Sequence, residues 1–323
     1  MHIFTHPNFD FIRWKWQAIG MSWLVILIGV FVIWTKGMPK GVEFSGGTIV
    51  IVKFDQQPNL DQIRTALPGG GANAVVQQYG DPSAKQVLIR VHSAGAESGG
   101  ALSATADQVT AELNTKNLGT FQVIGREIVG PTVGAELQSR GLLATIFALA
   151  GILVYIALRF RLSFAVGAVV ATVHDLLITL AFLAIFKYEL SLNVIAALLT
   201  ITGYSMCDTI VIYDRVRENL RTMRRDNISS VVNAAVNQML DRTMITGGLT
   251  LLSVISLFFF GGEVLKAFAF TMIVGIITGT YSSVFIAAAI VVIWQGRAPL
   301  KTAPAAPVAP SSARKSGKRA RAS

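Results

Sequence analysis

Six apolar stretches, each close to the roughly 17–25 residues a helix needs to cross a bilayer, dominate this chain. They run over about 17–35, 138–158, 164–186, 193–213, 243–260 and 267–294. Of the 323 residues, 52% are hydrophobic and only 14% charged, where a soluble domain carries about 25% charged. So little polar surface cannot solvate the chain, and the pattern predicts an α-helical polytopic membrane protein with six transmembrane helices. Arg13 and Lys15 precede the first run, as in a signal peptide. That run is too long for a signal h-region, and Trp34-Thr-Lys-Gly-Met38 is no small-residue cleavage site, so it reads as a retained anchor. The single cysteine, Cys207, lies inside the fourth run, which excludes an intrachain disulfide and a cysteine-based zinc site.

The net charge of +10 is a topology signal. Arg13 and Lys15, Arg159 and Arg161, Arg215 to Arg242, and the tail from Arg297 to Arg321 all fall on one side of the membrane. The two short loops opposite carry only Lys187 and Lys266, each with an acid nearby, Glu189 and Glu263. Both termini are therefore expected in the cytoplasm: 1–16 as the N-terminal segment, 17–35 as the first span, 138–295 as a five-helix region and 296–323 as a basic tail. The tail is Ala, Pro and Ser followed by Lys and Arg, which cannot build a core and predicts disorder.

One large segment, 36–137, falls on the outer side, nearly balanced in acidic and basic residues, as a translocated folded domain would be. Thr48–Phe54 is β-branched and strand-like, and Leu60–Leu67 has helical spacing before a Pro68-Gly-Gly-Gly71 stop. Ala74–Tyr79 and Gln86–His92 read as strands around a Gly80-Asp81-Pro82 turn, Ala101–Leu113 as a helix and Phe121–Val129 as a strand. The order β-α-β-β-α-β predicts a ferredoxin-like α+β domain.

Several activities are unsupported. The chain has no G-x-x-x-x-G-K-[ST], no H-E-x-x-H and no G-x-S-x-G, and His2, His6, His92 and His174 lack metal-ligand spacing. No enzyme activity, cofactor or metal is expected, so any work must draw its energy from elsewhere. The positive signal is ionisable residues inside spans, each costing about 2.5–3.5 kcal/mol at the bilayer centre on insertion scales. Asp175 sits near the middle of the third span. Asp208 lies in the fourth, and Arg242, which opens the fifth, has a similar depth. A carboxylate in a polar crevice is pulled towards neutrality by desolvation and towards ionisation by a nearby Arg, so their relative movement would switch proton affinity. The plainer alternatives are a structural polar contact at Asp208, a hydrogen bond from His174-Asp175 to a neighbouring helix, and an Arg242 snorkelling from a helix start. Asp175 is expected to matter less than Asp208.

The fourth span packs Thr200, Thr202, Gly203, Tyr204, Ser205, Cys207, Asp208 and Thr209 into ten residues, and the sixth repeats this with Gly275, Gly279, Thr280, Tyr281, Ser282 and Ser283. Small and hydroxyl residues let helices approach closely, so both spans, joined by the fifth, are expected in the bundle interior.

Gly203-Tyr-Ser-Met-Cys-Asp-Thr-Ile-Val-Ile-Tyr-Asp-Arg-Val-Arg-Glu-Asn219 closely resembles the hallmark of the SecF branch of the SecD/SecF protein-export family. Gly279-Thr-Tyr-Ser-Ser-Val-Phe-Ile-Ala287, Val173-His-Asp175, Val129-Gly-Pro131 with Gly134 and Glu136-Leu137, and Gly41-Val-Glu-Phe-Ser-Gly-Gly-Thr48 match further motifs. The resemblance runs from about residue 8 to 295. Glu43 stands where the family usually has Asp, and Cys207 where it has Asn, a weaker hydrogen-bonding group beside Asp208.

The resemblance implies membership of the resistance-nodulation-division superfamily of proton-driven transporters and a location in the bacterial inner membrane. Its implied partners are SecD, the SecYEG channel, YajC, YidC, exported preproteins and membrane lipids, with no specific nucleic acid. It implies that the proton-motive force helps complete translocation after the ATPase SecA. It also implies a proton relay of Asp208, Arg242 and Asp175, supported by Gly203, Tyr204, Ser205, Cys207, Thr209, Thr280, Tyr281, Ser282 and Ser283. Asp214, Arg215, Arg217 and Glu218 mark the cytoplasmic end of the fourth helix. A proton-coupled exporter of lipids or small molecules and a passive scaffold of the translocase are the rival readings.

Overall fold

The computed structural model describes residues 8–67, 74–79, 82–91, 99–116, 118–160 and 162–296. The expected Pro68-Gly-Gly-Gly71 stop, the Gly80-Asp81 half of the turn, His92, Arg161 and the tail beyond Gly296 lie outside them.

A 3₁₀ turn at Ile12–Trp14 leads into α1 (Lys15–Lys36), and a second, four-residue helix follows, α2 (Val42–Ser45). The α+β domain between the first and second spans then runs β1 (Gly47–Phe54), α3 (Leu60–Ala66), β2 (Ala74–Tyr79), β3 (Gln86–Val91), α4 (Gly99–Thr115) and β4 (Phe121–Val129). The strands lie in the order β2-β3-β1-β4 with every pairing antiparallel, the ferredoxin-like arrangement expected. Alternation along β1 sends Val50, Val52 and Phe54 against α3 and α4, where they meet Ile63, Ala106, Val109 and Leu113. Asn59 caps α3, its side chain accepting from the Asp61 and Gln62 amides. A bulge opposite Ile51–Val52 bends β4 at the small Gly125.

The remaining helices are α5 (Pro131–Arg159), α6 (Leu162–Ile185), α7 (Leu192–Thr222), α8 (Ile228–Phe260), α9 (Gly262–Ser282) and α10 (Ala288–Gly296), with a π-helical turn at Ser283–Ala287 joining the last two. With α1 they make six helices long and apolar enough to cross a membrane: Ile12–Lys36, Val133–Arg159, Leu162–Ile185, Leu192–Thr222, Ile228–Phe260 and Leu265–Gln295. Ser191 and Asn227 cap α7 and α8, which hold their ladders well past the apolar runs. Arg242 therefore lies inside α8, one residue before the buried Thr243, and not at a helix start. The bundle interior also differs from expectation. α6 and the α9–α10 span are the most enclosed, while α8 keeps most of its surface exposed. Its Leu249, Leu252, Phe259 and Phe260 point outward, because α8 packs mainly along the stripe facing α7 and α9.

Candidate functional site

Asp175 stands at the junction of three helices. It is 1% exposed, and its Oδ2 accepts hydrogen bonds from Ser205 Oγ on α7 (2.5 Å) and Ser282 Oγ at the end of α9 (2.8 Å). Its Oδ1 lies 3.0 Å from His174 Nδ1. Close approach of the helices makes this possible. A Cβ on Gly275 would collide with Ile201, and one on Gly279 would lie 2.8 Å from Ser205 Cβ. Tyr281 stacks on the His174 ring at 6.3 Å, donates to the Ala18 carbonyl (2.8 Å) and accepts from Ser22 (3.2 Å), so α1 is tied to the same helix turn.

Asp208 occupies a second pocket, more open than the first. Thr243 Oγ1 donates to its Oδ1 (2.7 Å) and Ser283 Oγ to its Oδ2 (3.1 Å). The expected partner, Arg242, is exposed and makes no ion pair with it among the described residues, acting on the carboxylate through space. Neighbouring positions on a helix differ by about 100°. Thr243 consequently faces α7 while Arg242 turns aside.

Ser282 and Ser283 thus serve the two acids from consecutive positions, at the start of the π-helical turn where the Ala288 amide bonds to the Ser283 carbonyl. Insertion of an extra residue into a helical turn is a recurrent feature of functional sites. Below it Tyr213, fully buried, donates to the Ala287 carbonyl (3.2 Å) and meets the Phe164 ring edge to face at 4.9 Å. A Cβ on Gly167 would strike its hydroxyl, so that glycine gives the ring its place.

The other expected residues divide by face. Ser205 and Thr209 are buried, and Tyr204 and Thr280 line the close approach of Gly247. Gly203 and Cys207 sit on the exposed side of α7 with Thr200. Asp214, Arg215, Arg217 and Glu218 form a separate group further along α7. Arg159 reaches Asp214 (3.5 Å), Arg215 bonds Gln238 (2.6 Å) and Glu218 (2.6 Å), and Arg217 is exposed.

Two features have no counterpart in the expectations. Asn233 and Asn237 on α8 hold the backbone of Phe9 and Phe11, accepting from the Phe11 amide (3.0 Å) and the Phe9 amide (2.9 Å) and both donating to the Phe9 carbonyl. In the α+β domain, buried Arg90 of β3 pairs with Glu189 in the α6–α7 loop. Two Asn at i and i+4 were a readable signal, whereas a strand arginine is ordinarily a surface residue. No three His, Cys, Asp or Glu side chains cluster to hold a metal ion among the described residues.

A family model described as the C-terminal part of the protein export membrane protein SecD/SecF matches residues 108–297, and one for the SecD/SecF GG motif matches 31–58. The protein translocase subunit SecF of Calditerrivibrio nitroreducens is 42% identical over 88% of this chain and 93% of its own length. That of Escherichia coli O157:H7 is 37% identical, over 87% and 86%. Among solved structures, SecDF of Thermus thermophilus, a translocon-associated membrane protein, superposes with a TM-score of 0.78 at 32% identity. That match covers 90% of this chain and 39% of the solved one, so this chain spans about two fifths of that protein's length.

Proposed function

The chain belongs to the SecD/SecF family of protein-export membrane proteins, and from that membership we propose that it is an auxiliary subunit of the Sec translocase that uses the proton-motive force to promote late protein translocation. It is a multi-pass inner-membrane protein. The Lys and Arg placement supports cytoplasmic termini, with 36–137 as a periplasmic domain able to fold by itself. Expressed alone, about 38–128 gives a spectrum of mixed helix and strand. A purely disordered spectrum removes the independent-domain assignment.

The observation that carries the proton reading is Asp208, an intramembrane carboxylate held by two hydroxyls with a cation beside it but not paired to it. Hydroxyls donate to an ionised carboxylate and accept from a protonated one, so both proton states have partners in the same pocket. Arg242 is exposed and has room to approach or withdraw, and Asp175 is the fixed acid one serine away. A proton crossing the membrane releases about 2.3 kcal/mol per 100 mV. That energy is used if protonation favours one packing of α7, α8 and α9 over another.

SecD is the expected partner half, since the solved SecDF chain holds far more than this one matches. The exposed polar edge of α7 and α8, with Thr200, Gly203, Cys207, Arg242, Thr246 and Ser253, suits a second helical bundle better than lipid. SecYEG, YajC, YidC, preproteins and membrane lipids complete the proposed surroundings. The test is translocation of a preprotein into vesicles holding SecYEG, SecD and this chain, driven by SecA and ATP, with and without a proton gradient. Asp208→Asn assembles normally and loses the gain from the gradient, and Arg242→Lys is also impaired, because it keeps charge but not the planar fork. An Asp208→Asn protein that gains as the unaltered one does makes the chain a scaffold.

A further inference from the structure

Three contacts seat the outer domain on the bundle. The chain leaving α1 pairs with the α6–α7 loop, the Gly41 amide donating to the Leu190 carbonyl and the Leu190 amide to the Pro39 carbonyl, both at 2.8 Å. The α2 helix rests on the first turns of α5 at Gly134, where a Cβ would lie 3.1 Å from the Glu43 carbonyl oxygen. The third contact is the ion pair between Arg90 and Glu189.

Arg90 lies on the sheet face opposite the domain's helices and is 7% exposed. Its Nε has no hydrogen-bond partner among the described residues. A guanidinium offers five donors in a fixed fork, and a buried one with a donor unused has capacity for a second acceptor. In competition with Glu189, Glu43 is the second carboxylate whose charge acts on Arg90. Its carboxylate folds back over Gly41, where a Cβ would collide with it and would also lie 3.1 Å from the Leu190 carbonyl, next in the chain to Glu189. Electrostatic coupling links Glu43 to Arg90, Glu189 and Glu127.

We propose that Arg90 is the positioning residue of a latch between the periplasmic domain and the bundle, holding Glu189 of the α6–α7 loop, with Glu43 as a competing carboxylate whose proton sets the strength of the grip. The loop joins the helix of Asp175 to the helix of Asp208, so the latch touches the one connection shared by both acids. Its relevance to export rests on the function proposed above, whereas its geometry does not.

The sign of the pH response follows from the groups around Glu43. Burial raises its pKa above the ordinary glutamate value, its own backbone hydrogen bond lowers it, Glu127 raises it, Arg90 lowers it and Glu189 raises it, the net direction being upward. These charges come from β3, β4 and the loop, while α5 presents the uncharged Gly134. A carboxyl whose pKa is higher when seated takes up a proton on seating. Seating is favoured below that value and weakens as pH rises through it, so an acidic outer compartment tightens the latch.

The test uses the full chain with Cys207→Ser in nanodiscs, spin-labelled at exposed Gln108 on α4 and Leu265 on α9, with distances measured in mildly acid and mildly alkaline buffer. We expect a narrow distribution in acid that broadens in alkali. Glu189→Gln and Arg90→Gln are broad in both, and Glu43→Gln is narrow in both. A narrow distribution in Glu189→Gln, or a pH response surviving in Glu43→Gln, overturns the latch. Glu189 lies outside the domain, so its variant keeps the test valid should Arg90→Gln fail to fold. In the vesicle assay Glu189→Gln loses the gain from the gradient. An undiminished gain alongside a broadened distribution refutes the role in export, and the Asp208→Asn result decides the proton reading separately.

Discussion

Asp175 and Asp208 are both carboxylates buried among helices of one bundle, held by hydroxyls of consecutive serines, yet their pockets differ in kind. Asp175 is sealed, with donors from α7 and α9 and a histidine of its own helix against it. Asp208 is half-buried, with two hydroxyl donors and a cation nearby on a helix that remains largely exposed. The difference teaches that intramembrane charge by itself does not identify a switch. A residue enclosed by two hydroxyl donors and an imidazole is built as a joint between helices would be. One with fewer partners and an exposed, unpaired counter-charge nearby has the latitude a proton cycle would need.

The largest effect sharpens that contrast. Asp175→Ala removes the acceptor of the Ser205 and Ser282 hydroxyls and the partner of His174, Ser282 keeping the Gly279 carbonyl, and each buried polar group left unsatisfied costs about 1–3 kcal/mol. Thermal unfolding in detergent then falls sharply, while Asp208→Asn leaves it nearly unchanged. Equal midpoints for the two variants erase the distinction between joint and switch. Ser282→Ala and Ser283→Ala come next. The first removes a hydrogen bond to the sealed carboxylate, about 1.5–3 kcal/mol if that group is ionised. The second shifts stability less and gradient-dependent export more. The reverse order exchanges the roles assigned to the two pockets.

Most of the architecture was legible because its signals are local. The β-branched run of Thr48–Phe54, the strand pattern of Phe121–Val129 and the apolar lengths of the spans needed no tertiary information. Hydropathy failed at span ends, since it reports where lipid stops and not where a helix stops. Beyond the lipid, α7 continues through the Arg215–Glu218 pair at helical spacing, and α8 begins at its Asn227 cap. The short α2 was invisible, because one turn held by packing on α5 has no periodicity to read. At the site, the polar texture of the spans was readable but the pairings were not. Which hydroxyl meets which carboxylate depends on helix rotation, and a matched depth pointed to Arg242 where rotation presents Thr243. The partners of Asp175 are hidden from the sequence for the same reason, since they come together only through tertiary packing or rotamer choice.

Two glycines give the smaller tests. Gly279→Ala places a Cβ 2.8 Å from that of Ser205, and overpacking of this sort costs about 1–3 kcal/mol. It also displaces Ser205 from Asp175, so its loss of stability pairs with that of Ser282→Ala. Gly203→Ala meets nothing within 4 Å. In this chain alone it is neutral or stabilises α7 by up to about 1 kcal/mol, the usual helical preference for alanine. Gly203→Trp, by contrast, is expected to reduce co-purification of SecD from native membranes while leaving the isolated chain folded. Undiminished recovery of SecD with that variant removes this edge from the proposed contact.

The asparagine clamp on the N-terminal segment sets a schedule for biogenesis. Phe9 and Asn237 are separated by 228 positions, so at about 5–20 residues per second the ribosome needs roughly ten to forty-five seconds to deliver the second half of the clamp after the first. Throughout that interval the backbone groups of the leading segment are unclaimed by α8. Closure waits for the opening turns of the fifth span, so this pair of side chains closes late in synthesis with the sixth span still to come.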